Sequence, residues 1–418
     1  VSERPEVTPV EIARLAGVGR AAVSNWRRRH PDFPQPVGGS DTSPTFALDQ
    51  VEEWLRRQGK IAELPLLERC HRTLEALREP AGGETMAGGA GGAGGGPLAL
   101  AGAVLLLLQR RPERWAALAE QPDTALAPAL PRELAELTGE LLGPHSGALL
   151  DLPRLLGSTQ LGLVRLLVAL AREAGPAAGY EQLLGRAAEG GTRQPLLPPQ
   201  PAALLAALAA ADRPASVLDP ACGLGATLLA VGPGPVRYGQ DRDRAAVGAA
   251  LLRLALHTPP TAPGPLALQF GAGDALRADA HPGRLADAVL CRPPYNERDW
   301  GHDELRYDPR WLFDQAPPRT EPELAWLLHC LAHTRPGGLT AVLLPPTVAS
   351  RRSGRRLRAE LLRSGALRAV VALPAGAAPP FGVPLHLWLL RRPDASQSTG
   401  ERRLLLLDAA ATQPSGAP

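Results

Sequence analysis

Three clusters of residues in this chain could do chemistry. The first lies between residues 215 and 241. The apolar run Ala215-Ser216-Val217-Leu218 leads into Asp219-Pro220-Ala221-Cys222-Gly223-Leu224-Gly225, and Val236-Arg237-Tyr238-Gly239-Gln240 leads into Asp241. Gly223 and Gly225 let the backbone approach a ligand closely, and the helix that follows offers unpaired N–H groups. A carboxylate ending the next strand suits the two hydroxyls of a ribose. The glycine spacing alone is common to many nucleotide folds and decides little. The second cluster, Arg292-Pro293-Pro294-Tyr295-Asn296, follows the apolar run Ala286–Cys291. The third is basic: Arg20, Ser24, Asn25, Arg27 and Arg28 share the outer face of one helical stretch. Such a face suits contacts to phosphates and base edges; a small helical adaptor with a solvated arginine face would read the same way.

Positioning these clusters requires two kinds of architecture. From Arg213 onward, short apolar strands alternate with amphipathic helices: Ala215–Leu218, Val236–Gly239, Leu266–Phe270, Ala286–Leu290, Leu339–Leu344 and Ala369–Leu373. That alternation predicts an α/β fold with a mostly parallel sheet. Residues 98–195 carry Leu, Ala, Arg and Glu at helical spacing and predict a helical subdomain. Residues 80–97 are a Gly/Ala linker, residues 196–395 the α/β core, and residues 396–418 a short tail. Within residues 1–79, Thr8 is placed to cap a helix with Pro9 at its first position and Glu11 as the reciprocal partner. Gly17 permits a tight turn, and a second helix turns Val23 and Trp26 inward. Phe33–Gly39, Phe46 and Val51–Leu55 then supply a hairpin and a closing helix.

The N-terminal arrangement resembles MerR- and excisionase-like winged helix-turn-helix modules, with residues 19–29 as the recognition helix. In such modules that helix enters the major groove. The core is more specific. Asp-Pro-Ala-Cys-Gly-x-Gly, then Gly-Gln-Asp241, then Gly273-Asp274-Ala275-Leu276, resembles the adenine-N6 DNA methyltransferases, above all the modification subunit of type I restriction–modification systems, over roughly residues 195–392. The resemblance implies a Rossmann-like, S-adenosylmethionine-dependent methyltransferase core. Carried over, Asp219, Ala221, Cys222, Gly223 and Gly225 hold the methionine and ribose part of the cofactor, Asp241 the ribose hydroxyls and Asp274 the adenine. It also implies DNA as a partner, together with a separate specificity subunit or a second copy of the chain. Leu224 departs from the family's small residue, and Leu197-Pro198-Pro199 from its Thr-Pro.

The same resemblance makes Arg292, Pro293, Pro294 and Tyr295 the catalytic motif. A flipped adenine stacks on the aromatic ring and offers its amine to acceptors, and Tyr295 retains that role. The family has Asp, Asn or Ser where this chain has Arg292. A guanidinium has five donors and no acceptor, so it opposes positive charge growing on the amine. Two readings stay open: an active methyltransferase that uses the proline carbonyl and another acceptor, or a degenerate core serving as a DNA-binding regulator. Methylation of a protein or small metabolite is a weaker third. The Arg351–Arg356 run suits phosphate contacts or a solvated face equally.

Composition narrows the field. With 45 Lys+Arg against 42 Asp+Glu the net charge is +3, so the overall charge points to no partner. Four cysteines with no CxxC spacing predict neither a disulfide framework nor a zinc site, and a reducing cytoplasm. The apolar run Pro97–Leu108 is too short for a bilayer, which takes about 20 residues. Only one basic residue is a lysine, Lys60.

Overall fold

The computed structural model describes residues 6–40, 43–60, 64–77, 96–189, 196–262, 264–313, 315–379, 382–394 and 403–409. The chain divides into two compact units, Val1–Arg72 and Thr73–Pro418.

In the first unit, β1 (Glu6–Val7) precedes α1 (Pro9–Leu15) and α2 (Arg20–Arg29). The hairpin β2 (Pro36–Ser40) and β3 (Ser43–Ala47) follows, then α3 (Leu48–Arg57). Thr8 and Glu11 form the expected reciprocal cap: the Thr8 N–H donates to Glu11 Oε2 at 2.6 Å and the Glu11 N–H to Thr8 Oγ1 at 3.4 Å. Gly17 takes the left-handed φ of +64° that ends α1, while the Val18 N–H returns to the Ala13 carbonyl at 2.9 Å; only glycine adopts that φ freely. Ile12, Val23, Phe33, Phe46, Val51 and Trp54 form one buried cluster. Phe33 meets Phe46 and Trp54 edge-on at 5.6 and 4.8 Å. Lys60 lies 5.0 Å over Trp26 and 4.8 Å over Trp54, so the one lysine caps the aromatic cluster.

Among the described residues, the second unit is built on an eight-stranded sheet. Its strands are β4 (Ser216–Asp219), β5 (Val236–Asp241), β6 (Leu268–Ala272), β7 (Ala286–Cys291), β8 (Thr334–Leu344), β9 (Leu367–Ala372), β10 (His386–Arg391) and β11 (Leu405–Asp408). The order is β11-β9-β10-β8-β7-β4-β5-β6. β10 runs antiparallel to both β8 and β9; the other pairings are parallel. The chain winds outward from β4 through β5 to β6, then returns to β7 on β4's other side. The reversal leaves a crevice at the carboxyl ends of β4 and β7, where ligands of open α/β sheets bind.

The helix Arg244–Leu256 is buried from Val247 to Leu256 and is apolar nearly all round, because it lies between the sheet and a helical layer. The layer's centre is the helix Gly96–Arg110, buried from Ala99 to Leu107. Gly102 makes room there for Tyr180, whose ring would lie 2.8 Å from a Cβ. Arg110 donates to the carbonyls of Ala255 and Thr258 at the end of the Arg244–Leu256 helix, at 3.2 and 2.9 Å, satisfying groups that the helix cannot.

Three boundaries differ from expectation. The expected linker lies outside the described residues except at Gly96 and Pro97, which already begin a helix. β8 begins at Thr334, ahead of the expected Leu339, with a register shift opposite Ala286–Ala288. A Cβ on Gly338 would lie 2.7 Å from the Asp287 carbonyl, so only glycine fits that close approach. Finally, the expected C-terminal tail contains β11.

Candidate functional site

The acidic and glycine-rich residues meet at the carboxyl ends of β4, β5 and β6. Asp219, 2% exposed, ends β4 and takes the Ala221 N–H on Oδ1 at 3.1 Å. Asp241 ends β5 one strand away. Its Oδ2 accepts the Gly223 N–H and its Oδ1 the Asp243 N–H, both at 2.9 Å. Asp241 therefore fixes the glycine turn from the neighbouring strand. Hydrogen bonds to an ionised group are worth about 1.5–3 kcal/mol each. Asp274 follows β6 and receives the Leu276 N–H at 3.0 Å.

Gly223 and Gly225 take φ of +49° and +75°. Gly225 has a packing role that the sequence did not show. A Cβ there would press on Ala250 and Leu254 at 3.0 Å, so Gly225 also seats the turn on the Arg244–Leu256 helix. Arg253 of that helix pairs with Glu181 at 2.6 and 2.7 Å and donates to the Leu224 carbonyl at 3.0 Å. The helical layer thus braces the turn through the backbone of Leu224, at the position where the sequence departs from the family.

One cleft is lined by Pro220, Ala221, Asp241, Arg242, Asp274, Ala275, Pro294, Glu297 and Trp326. Of the anticipated site residues, Ala221, Asp241, Asp274 and Pro294 reach it. Asp219, Cys222, Gly223 and Gly225 stand behind it and shape the turn, and Arg292, Pro293 and Tyr295 do not line it. Arg242 and Glu297 form an ion pair joining the segments after β5 and β7. Sequence reasoning missed this pair and Trp326, because no local pattern links partners 55 residues apart.

The loop after β7 is held by groups of its own. Tyr295 donates its hydroxyl to the Leu343 carbonyl at 3.1 Å, anchoring the ring to the end of β8. Asn296 adopts φ of +58°, a conformation that asparagine tolerates better than most residues. Its N–H donates to Glu323 Oε1 at 2.9 Å, and its Oδ1 accepts from Arg351 at 3.4 Å. Glu323 is 1% exposed and lies 3.7 Å from Arg351. Arg351 also donates to the Thr320 carbonyl, and Arg358 to the Val348 carbonyl at 3.0 Å. Arg351 of the basic run and Arg358 just beyond it therefore brace the loop and its surroundings, while Arg352, Arg355 and Arg356 are exposed.

Electrostatics separate the two sides of the site. Burial pushes the Asp219 carboxyl up to about 7, with Asp241 raising it further and the Ala221 N–H and the Arg292 charge opposing. Burial also raises Asp241 and Glu297, the latter against the opposing charge of Arg242. Tyr295 is raised by burial and lowered in part by Arg292. The Arg292 charge thus acts on a cofactor-side acid and on the aromatic ring together.

Among the described residues, Asp279, His329 and His333 bring metal-ligating atoms within 4.8 Å of one another. Their chemistry argues against a metal centre. Arg310 Nη1 lies 2.9 Å from His329 Nδ1; a guanidinium only donates, so that nitrogen accepts and Nε2 keeps its proton. His333 Nδ1 donates to the Arg284 carbonyl at 2.9 Å, and its Nε2 lies 2.9 Å from Asp279. Burial would raise Asp279, yet His333 more than offsets it and holds the carboxyl at about 2. The group is a structural network.

On the N-terminal unit, Arg20, Ser24, Arg27 and Arg28 are exposed along α2 and Asn25 is half-buried. Arg28 donates to Asn25 at 3.4 Å. Arg27 stands 5.3 Å over the ring of Phe46 in β3, which ties this face of α2 to the hairpin.

Residues 177–415 match the model of the N-6 DNA methylase family. Two curated relatives are the type I restriction enzyme HindI methylase subunit of Haemophilus influenzae, 27% identical over 121 residues, and the MjaIX methylase subunit of Methanocaldococcus jannaschii, 24% identical over 193 residues. The matches cover 28% and 42% of this chain but only 27% and 33% of those proteins. A crystal structure of a type I restriction-modification methyltransferase subunit from Streptococcus thermophilus superposes with a TM-score of 0.58 at 18% identity, covering 84% of this chain and 88% of that one. Among the described residues, no helix is long and apolar enough to cross a membrane.

Proposed function

The chain belongs to the N-6 DNA methylase family, and from that premise we propose that it is an S-adenosylmethionine-dependent protein of the DNA adenine-N6 methyltransferase kind, related to type I modification subunits. One observation carries the reading: Asp241, Asp274 and Pro294, from three different strand ends, line one cleft. The donor set fits the cofactor. Pro220, Ala221, Ala275 and Trp326 offer apolar walls for a purine, and two carboxylates face hydroxyl and amine groups. Asp219, a buried carboxyl raised to about 7, would be drawn into its ionised form by a nearby cation. When bound, the cofactor supplies an electrophilic methyl group.

The chain's own residues do the rest. Asp241 shapes the glycine turn and accepts ribose hydroxyls, Asp274 orients the base, and Tyr295 presents a ring fixed through its hydroxyl. DNA is read by α2 with Arg20, Ser24, Asn25, Arg27 and Arg28, and a specificity subunit completes recognition of the target. Arg292 supports a second reading. It cannot accept a hydrogen bond from an amine, which favours a core that binds cofactor and DNA with transfer suppressed. Calorimetric titration with S-adenosylmethionine, then methyl transfer to duplex DNA by the same preparation, tests both. Absence of cofactor binding sinks the proposal; binding without transfer selects the second reading, and Arg292→Asn then restores transfer.

A further inference from the structure

We propose that Arg310 is the positioning residue of the purine slot: from behind the cleft it fixes the Asp274 turn on one wall and the Trp326 helix on the other. This rests on the S-adenosylmethionine reading above and names what sets the base preference of that site. Arg310 lies on the segment that leaves β7 and does not line the cleft. Its guanidinium is 16% exposed and engages all five of its N–H donors within the protein. Nε donates to Asp308 Oδ1 at 2.8 Å and Nη2 to Asp308 Oδ2 at 2.7 Å. Nη1 donates to the Ala275 carbonyl at 3.0 Å and to His329 Nδ1 at 2.9 Å, and the second Nη2 hydrogen goes to the Leu276 carbonyl.

These contacts reach both walls. The peptide between Ala275 and Leu276 is gripped at its two ends: its carbonyl accepts from Arg310, and its N–H donates to Asp274 Oδ1 at 3.0 Å. Among the described residues no hydrogen bond falls on Asp274 Oδ2, so that oxygen is left for a ligand in the cleft that Asp274 and Ala275 line. On the far side, Trp326 and His329 share one face of the helix Pro322–Ala332, three residues apart. Their rings meet edge-on at 6.0 Å, and Trp326 lines the cleft. Arg310 therefore sets the distance between Ala275 and Trp326 and the aim of the Asp274 carboxylate. Side chains at a binding site keep their geometry through supporting hydrogen bonds of this kind. A lysine could not supply them, because a single ammonium replaces a planar fork.

Calorimetric titration of the full chain with S-adenosylhomocysteine and with S-inosylhomocysteine, whose purine carries a carbonyl oxygen in place of the amine, reads the slot. The ratio of the two affinities reports base recognition, whereas a loss of packing alone moves both ligands alike. The unaltered chain should prefer the adenosyl ligand by about a hundredfold or more. Arg310→Lys should weaken the adenosyl ligand about tenfold and the inosyl ligand much less, so the preference narrows. Asp308→Asn keeps an acceptor for Nε and removes the one for Nη2. It is the milder variant, should narrow the ratio about threefold, and decides the matter if Arg310→Lys does not fold. A ratio that stays unchanged, or affinities that fall equally for both ligands, overturns the proposal. A chain that binds both ligands alike overturns it while the cofactor reading stands; a chain that binds neither removes that reading as well.

Discussion

The two sides of the site are built on different plans. On the β4–β6 side, acids sit at strand ends and act through the backbone: Asp219 on Ala221, Asp241 on Gly223 and Asp243, Asp274 on Leu276. On the β7–β8 side, the loop is held by side chains from distant elements. Glu323 and Arg351 hold Asn296, the Leu343 carbonyl holds the Tyr295 hydroxyl, and a cation occupies the motif's first position. On the reading proposed above, the first plan serves a bound nucleoside. The second holds an aromatic ring and the loop firmly but lacks an acceptor where the family has one. A binding half can thus persist while the half facing the second substrate changes its chemistry.

The sharpest way to break this contrast is Asp241→Ala. Losing two N–H bonds to a buried carboxylate should lower stability by about 3 kcal/mol and cofactor affinity by about a hundredfold, measured by denaturation and calorimetry. Unchanged cofactor affinity would place the nucleoside elsewhere. Arg292→Asn probes the other half. Methyl transfer should rise about tenfold or more once an acceptor replaces a donor, while cofactor affinity moves much less. An equal change in both would mean that the halves are not separable.

The pH dependence comes next. Asp219 ionises at about 7, so affinity for the cationic cofactor should grow as pH rises through that value, by at most about tenfold per unit. Its folded-state value lies above the ordinary 3.8, so its contribution to stability is full in acid and is lost as pH rises through about 7. Removing the Arg292 charge should shift the binding midpoint upward. Glu323→Ala should cost about 1–3 kcal/mol of stability by leaving the Asn296 N–H without its acceptor, read by chemical denaturation; Glu323→Gln keeps that acceptor and should cost less. Smallest of all, Arg27→Ala should weaken DNA binding by about 1 kcal/mol with a shallower salt dependence, read by titration at two salt concentrations, and leave the cleft untouched.

Much of this was legible from sequence because it is local. The strands ending in Asp219 and Asp241 declare themselves by an apolar run, a carboxylate and a glycine turn, and Thr8 with Glu11 marks a helix start three residues apart. β11 was not legible. Four successive leucines show neither period two nor period 3.6, and only the edge of β9 makes them a strand. The Arg242–Glu297 pair and the Glu323 anchor were hidden by distance along the chain. The packing role of Gly225 was also hidden, since its crowding against Ala250 exists only after the helix docks.

Lys60 carries a practical consequence. Its ammonium is the chain's only lysine amine and it stands over the indoles of Trp26 and Trp54. An amine-directed acylating reagent therefore has a single side-chain target. Once acylated, the nitrogen loses its charge and its attraction to the rings, so the fluorescence of Trp26 and Trp54 should change while the five tryptophans of the larger unit stay silent.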